Sequence, residues 1–140
     1  MPPSRDPAGT PLDADEAPLV SVILITLNEE ENIAACLDSL LHLDYPKDRH
    51  SITVVDASQD ATPEIVRAYP GVQYVRSEKG FSRQRNVGLN STRSEIVAFT
   101  DADCRIPPEW LRVIERAFRE PKVSGIGGNA LVPPGSSYFE

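Results

Sequence analysis

Asp101 and Asp103, separated by Ala102, follow the apolar run Ile96-Val97-Ala98-Phe99. In an extended chain successive side chains alternate faces, so residues at i and i+2 point the same way. Two carboxylates on one face repel each other unless a cation lies between or beside them. Mg²⁺ or Mn²⁺ suits the position, because Mg²⁺ is usually held by one or two carboxylates plus substrate phosphates. The spacing therefore points to a metal-bridged diphosphate. The competing reading is an acidic loop before the helix that starts near Pro108, since Asp is common in turns and at helix starts.

Two further clusters carry polar chemistry. Asp56 ends the run Val54-Val55 and could accept hydrogen bonds from a nucleobase N–H or a ribose hydroxyl. Ser58 reads as turn chemistry, and Asp60 as either turn or ligand contact. The segment Lys79-Gly80-Phe81-Ser82-Arg83-Gln84-Arg85-Asn86 supplies cations, with Gly80 permitting a turn into a helix N-terminus. Such a terminus attracts anions through its free N–H groups. Residues two apart on a helix diverge by about 200°. At most two of Lys79, Arg83 and Arg85 are therefore expected to reach one phosphate group.

The elements that must position these groups alternate along the chain. Residues 19–25 read as a β-branched strand, and residues 32–42 as a helix with Ile33, Cys36, Leu37, Leu40 and Leu41 at helical spacing. Residues 51–55 read as a second strand. Thr62 is expected to cap the next helix, with Pro63 at its first position and Glu64 in its first turn. Residues 72–75 form the third strand, 81–89 a helix, 96–100 the fourth strand and 108–119 a helix. Residues 125–132 are expected to begin another strand. Strands alternating with helices imply an α/β fold with a mainly parallel sheet. Ligands of such sheets bind outside the carboxyl ends of the strands. All three polar clusters follow strands, so all three fall on that edge.

Composition narrows the function classes. The chain has 140 residues, 40% hydrophobic and 25% charged, with a formal net charge of −7. That charge argues against nonspecific nucleic-acid binding, which needs a basic footprint. Any phosphate ligand must be held by local cations or by a metal. No apolar run reaches the ~18–20 residues of a transmembrane helix. Residues 1–18 hold five of the thirteen prolines and few large apolar side chains. They read as a disordered leader, with the folded part over 19–140. Cys36 and Cys104 form no metal-type pair, and they fit a reducing, cytoplasmic setting. His42 and His50 read as surface or core-edge residues.

Four stretches in order resemble the N-terminal half of family 2 glycosyltransferases, which have the GT-A fold. They are residues 20–30 (VSVILITLNEE), 54–62 (VVDASQDAT), 80–89 (GFSRQRNVGL) and 96–103 (IVAFTDAD). The resemblance implies a Rossmann-like open sheet and inverting transfer from a nucleotide-diphosphosugar, a UDP- or GDP-sugar. The acceptor would be a saccharide, a lipid or another hydroxyl compound, as in cell-wall or polysaccharide biosynthesis. By the same resemblance Thr26, Asn28 and Glu29 match the nucleoside-side loop, and Asp56 the acid that contacts the base. Arg85 and Asn86 match the Arg-Asn of the helix beside the donor, while Lys79 is expected as a further substrate contact from its place in the basic segment. Asp101 matches the acid near ribose and metal, and Asp103 the direct metal ligand. It also implies a cytoplasmic location, at the membrane face if the native chain is longer.

Two features depart from the family pattern. The second motif is one residue shorter than its usual form and has one acid at its start. The catalytic base and acceptor motif of the family lie after the strand expected at 125–132, so the base is expected beyond Glu140 and the chain reads as truncated. The main alternative is a non-catalytic nucleotide-sugar-binding module or inactive fragment. A nucleotidyltransferase would show a Gly-rich, basic loop after the first strand, where this chain has Thr26-Leu27-Asn28-Glu29. A phospho-acceptor domain would need no Asp-x-Asp, but a lone Asp facing a Lys.

Overall fold

The computed structural model describes residues 16–129 and 131. Strands β1 (Val20–Thr26), β2 (His50–Asp56), β3 (Val72–Arg76) and β4 (Ile96–Asp101) form one sheet in the order β3-β2-β1-β4. All pairings are parallel, with Ile23 opposite Thr53 and Phe99, and Thr26 opposite Asp56. Helices α1 (Ile33–Leu41), α2 (Thr62–Arg67) and α3 (Phe81–Asn90) connect them, and α4 (Trp110–Phe118) follows β4. A 3₁₀ turn at Lys47–Arg49 leads into β2. The α/β architecture expected from the sequence is the one observed.

The strands are apolar because both faces are covered. On one face Val20, Val22, Leu24, Val54 and Ala98 pack with Ile33, Leu37 and Leu40 of α1, Val66 of α2 and Leu111 of α4. On the other face α3 lies against Ile23 and Val55. It approaches so closely that a Cβ on Gly88 would stand 2.7 Å from Ile23 Cγ2 and 3.4 Å from Val55 Cγ2. Ile23 is fully buried and its branched methyl has nowhere to move. Gly88→Ala is expected to cost about 1–3 kcal/mol by overpacking. Urea unfolding checks this, and an unchanged midpoint would show that α3 shifts freely.

Three expectations need correction. The first is the strand at 125–132. Residues 123–129 adopt no regular structure, and Ile126 is 45% exposed. Gly125, Gly127 and Gly128 carry no side chain to pack, and a Cβ on any of them would meet nothing within 4 Å. Glycine in such a run makes a strand entropically costly. Residues 130 and 132 lie outside the described residues.

The second correction concerns the leader. Ala17 is 4% exposed and belongs to the core, and the Tyr45 hydroxyl donates to the Pro18 carbonyl at 2.7 Å. The packed domain therefore begins before Leu19, while residues 1–15 lie outside the described residues. A chain starting at Leu19 is expected to melt about 3–6 °C below one starting at Glu16, from one lost hydrogen bond and one small apolar contact. Equal melting midpoints would show that this contact carries no stability.

The third correction is the cap of α2. Thr62 is the first helical residue rather than the cap, and its amide and hydroxyl both donate to Asp60 Oδ1, at 2.9 and 2.6 Å. The helix start is thus held by Asp60. Both histidines sit at loop edges as expected, with Nδ1 of His50 2.9 Å from the Pro46 carbonyl.

Candidate functional site

The strand order decides where a crevice opens. β2 and β3 lie on one side of β1, and β4 lies on the other. The chain reverses its direction of sheet growth between β1 and β4, and crevices form at such switch points. At that point Thr26 ends β1 and Asp101 ends β4, with Ile25 opposite Asp101 in the ladder.

Asp101 is the last residue of β4. Ala102 and Asp103 lie in a turn closed by the Cys104 amide on the Asp101 carbonyl at 3.2 Å. The extended backbone therefore stops one residue earlier than the spacing argument assumed. Alternation survives in burial, since Ala102 is buried in the core while Asp101 and Asp103 are exposed. Among the described residues neither carboxylate enters an ion pair. The one polar contact given to either is the Cys104 thiol, 3.8 Å from Asp103 Oδ1. No group of three or more His, Cys, Asp or Glu that could hold a metal occurs among the described residues. Two open carboxylates do not make a protein cage for a cation. They fit the other arrangement, in which phosphate oxygens and water complete the shell.

Ladder partners share a face. Phe99 and Asp101 lie on the α3 side of the sheet, with Ile23 and Ile25. The Arg85 guanidinium of α3 stands over the Phe99 ring at 5.9 Å. Arg85 is thereby held on the same side as Asp101. Asn86 and Lys79 are exposed. Arg83 is paired with Glu78, so that cation is already partnered. Among the described residues Lys79 and Arg85 enter no ion pair.

Asp56 is placed differently. Its carboxylate is 0% exposed and lies on the α1/α2 side of the sheet. Oδ1 accepts from Thr26 Oγ1 at 2.7 Å, Ser58 N at 3.1 Å and Ser58 Oγ at 2.5 Å. Oδ2 accepts from the Tyr74 hydroxyl at 2.9 Å and Arg76 Nη1 at 3.1 Å. Burial pushes this carboxyl up, but the Ser58, Thr26 and Tyr74 hydrogen bonds outweigh it and hold the group below its ordinary value. Asp56 ties together the ends of β1, β2 and β3.

The loops after β1 and β2 are laced to each other. Asn28 adopts φ 54°, a left-handed conformation that Asn tolerates. Its amide donates to Ser58 Oγ at 2.7 Å, and its Oδ1 accepts from Gln59 N at 2.9 Å. The Glu29 amide donates to Thr62 Oγ1 at 3.0 Å, and the Glu30 amide to Asp60 Oδ2 at 3.2 Å. Glu29 Oε2 accepts from Asn32 Nδ2 at 3.1 Å. Asp60 thus serves turn and loop architecture.

Gln84 is a residue that the sequence reading passed over. It is 2% exposed on α3, and its Nε2 donates to the Thr26 and Val55 carbonyls, both at 3.0 Å. It plugs the fork where β1 and β2 part and ties α3 to the end of β1. Only its place between two charged residues hinted at this, and that reads equally well as solvated surface. Cys36 is buried, and its thiol is pushed up to about 12, chiefly by burial and then by Cys104. It is not poised as a nucleophile.

The fold recurs in known proteins. The chain is 36% identical over 119 residues to the glycosyltransferase AglE of Haloferax volcanii, covering 80% of this chain and 39% of that protein. It is 35% identical over 113 residues to the beta-monoglucosyldiacylglycerol synthase of Synechocystis sp., covering 74% and 24%. Among solved structures it matches the mannosyltransferase PcManGT from Pyrobaculum calidifontis in complex with GDP-Man and Mn²⁺. That match has a TM-score of 0.73 and 34% identity, over 79% of this chain and 35% of that one. It also matches S. aureus TarS in complex with UDP-GlcNAc, with a TM-score of 0.67 and 32% identity, over 82% and 37%. The chain thus spans well under half the length of these relatives. No helix among the described residues is long and apolar enough to cross a membrane. Residues 21–139 match the sequence profile of glycosyl transferase family 2, and the chain belongs to that family, with a GT-A sheet.

Proposed function

We propose that this chain holds the nucleotide-diphosphosugar of an inverting, metal-dependent glycosyl transfer. One observation carries the reading: Asp101 ends β4 at the topological switch point, exposed, on the same sheet face as Arg85. A carboxylate and a guanidinium on one face of this edge suit a ligand that carries both a cation and phosphates.

Within this reading Asp103 and Asp101 hold Mg²⁺ or Mn²⁺ together with the diphosphate. When bound, the metal supplies Lewis-acid stabilisation of the leaving diphosphate. Arg85 and Lys79 neutralise phosphate oxygens on the side away from the metal, and Asn86 lies beside them on α3. Arg85 can turn from the Phe99 ring to a phosphate at modest cost, since an exposed cation–π contact is worth about 0.5–1 kcal/mol. Thr26, Asn28 and Glu29 shape the nucleoside side through the lacing described above. Asp56 acts there by fixing Thr26, Ser58 and Arg76, since five donors already occupy its oxygens. Inversion also needs a base for the acceptor hydroxyl, which typically contributes about 10²–10⁴-fold. We assign that base to none of the described residues. The acceptor is a saccharide, lipid or other hydroxyl compound.

Two measurements test the reading. Calorimetry should show that this chain binds a nucleoside diphosphate in Mn²⁺ and binds it more weakly in EDTA. A transfer assay with a panel of sugar nucleotides should show turnover near background for residues 1–140. Robust metal-dependent turnover would place the base within this chain, with Glu109 and Glu140 the first to substitute. Equal affinity with and without metal would remove the metal from the proposal.

A further inference from the structure

Asp56 offers no oxygen to a nucleobase, which leaves the question of what reads the base on the β2–β3 side of the edge. Arg76 is the last residue of β3 and the ladder partner of Asp56. Its Nη1 is fixed twice, to Asp56 Oδ2 at 3.1 Å and to the Ser58 carbonyl at 2.6 Å. The support beneath it is also fixed. Arg67 of α2 stands over the Tyr74 ring at 4.6 Å, and the Tyr74 hydroxyl donates to the same Asp56 oxygen. Yet the Arg76 side chain is 52% exposed. A guanidinium presents Nε and Nη2 as a parallel fork on the side away from Nη1. With Nη1 anchored and the Tyr74 hydroxyl beside the same guanidinium, that fork is held in place.

Resting on the donor reading above, we propose that Arg76 is the specificity-determining residue for the nucleobase, and that its Nε/Nη2 fork selects guanine over uracil and adenine. The selection follows from the donor pattern. A fork with two parallel N–H groups needs two adjacent acceptors, and the O6/N7 edge of guanine provides them. Adenine sets a donor amine beside N7. Uracil sets its N3–H beside O4, so uracil and adenine each offer one acceptor next to a donor that the fork repels, whereas cytosine O2 and N3 are themselves two adjacent acceptors and are not discriminated on this ground. The placement also suits a nucleotide. Three strand spacings of about 4.8 Å separate the β3 and β4 ends. A base at Arg76 and a diphosphate at Asp101 are thus about 14 Å apart along the sheet and on its opposite faces, so the ribose and diphosphate would cross the carboxyl edge between them.

Calorimetric titration of the 140-residue chain with GDP, UDP, CDP and ADP in Mn²⁺ tests this. GDP is expected to bind about tenfold or more tighter than UDP and ADP. Arg76→Lys keeps a cation beside Asp56 but loses the fork. It should bring GDP to the level of UDP, leave UDP within about twofold, and melt close to the unsubstituted chain. Arg76→Ala should do the same to the nucleotide profile if it folds. Equal or greater affinity for UDP overturns the proposal. So does an Arg76→Lys variant that weakens GDP and UDP alike or melts far below the parent, since either result makes the arginine structural. Binding of no nucleoside diphosphate at all overturns the donor reading, and this proposal with it. Binding without a guanine preference overturns this proposal alone.

Discussion

Asp56→Ala is expected to lose about 3–5 kcal/mol of folding stability, a large part of the ~5–15 kcal/mol available to a domain of this size. The carboxylate is fully buried and accepts five hydrogen bonds from residues on or after three strands. Alanine would strand the Thr26 and Ser58 hydroxyls, both buried, without acceptors, at about 1–3 kcal/mol each if nothing relaxes. Arg76 would lose one of its two anchors, though its exposure lets water replace it. Asp56→Asn should be milder, because its remaining carbonyl can keep the Thr26 and Ser58 bonds while its amide faces Arg76. Guanidinium unfolding of the three proteins checks the order. An Asp56→Ala midpoint equal to wild type would show that the hub is dispensable.

The same group links stability to pH. Its folded pKa lies below the unfolded value of 3.8, because the donated hydrogen bonds outweigh burial. A carboxyl depressed in the folded state contributes stability that is fully present above its unfolded pKa. That contribution is lost as pH falls through the folded value. The loss is therefore expected below about pH 4, and Asp56→Asn should flatten that part of the stability profile.

Asp103→Ala is expected to reduce the Mn²⁺-dependent part of nucleoside diphosphate affinity by about 100-fold or more. Losing an outer partner of a metal ligand typically costs about 10–100-fold, and losing a ligand should cost at least as much. Folding should be untouched, since the side chain is exposed and makes no ion pair among the described residues. Exposed substitutions of that kind usually stay within about 0.5 kcal/mol. Asp101→Asn should act in the same direction. Calorimetry in Mn²⁺ and in EDTA gives the comparison. Retention of the full metal dependence in Asp103→Ala would place the cation elsewhere. The two aspartates that look alike in sequence, Asp56 and Asp103, should thus fail in opposite assays: one in stability, the other in metal-linked binding.

The sequence by itself determined the element types, their order and the edge that carries chemistry. The β-branched runs of β1, β2 and β4 and the helical spacing of Ile33, Leu37 and Leu40 are local patterns. Local patterns set secondary structure when burial later agrees with them. The placement of Asp101 after an apolar run needed nothing more than counting. The runs of residues that resemble family 2 were legible for the same reason, since each motif is contiguous.

What the tertiary structure alone decided is which partner each polar group meets. Strand order is a long-range property, so only the sheet shows that the switch point lies between β1 and β4. Only the ladder register shows Asp56 and Asp101 on opposite faces of one edge. The Asp56 carboxylate has donors from residues 26, 58, 74 and 76, and their convergence follows from pairing across three strands. Gln84 reads as surface until α3 packs within reach of the Thr26 and Val55 carbonyls. The strand expected from residue 125 is absent over 125–129 for a related reason: three glycines supply no side chains with which a neighbouring strand could hold it. A carboxylate's type is written in the chain, but its role depends on which donors reach it, and that is set by packing.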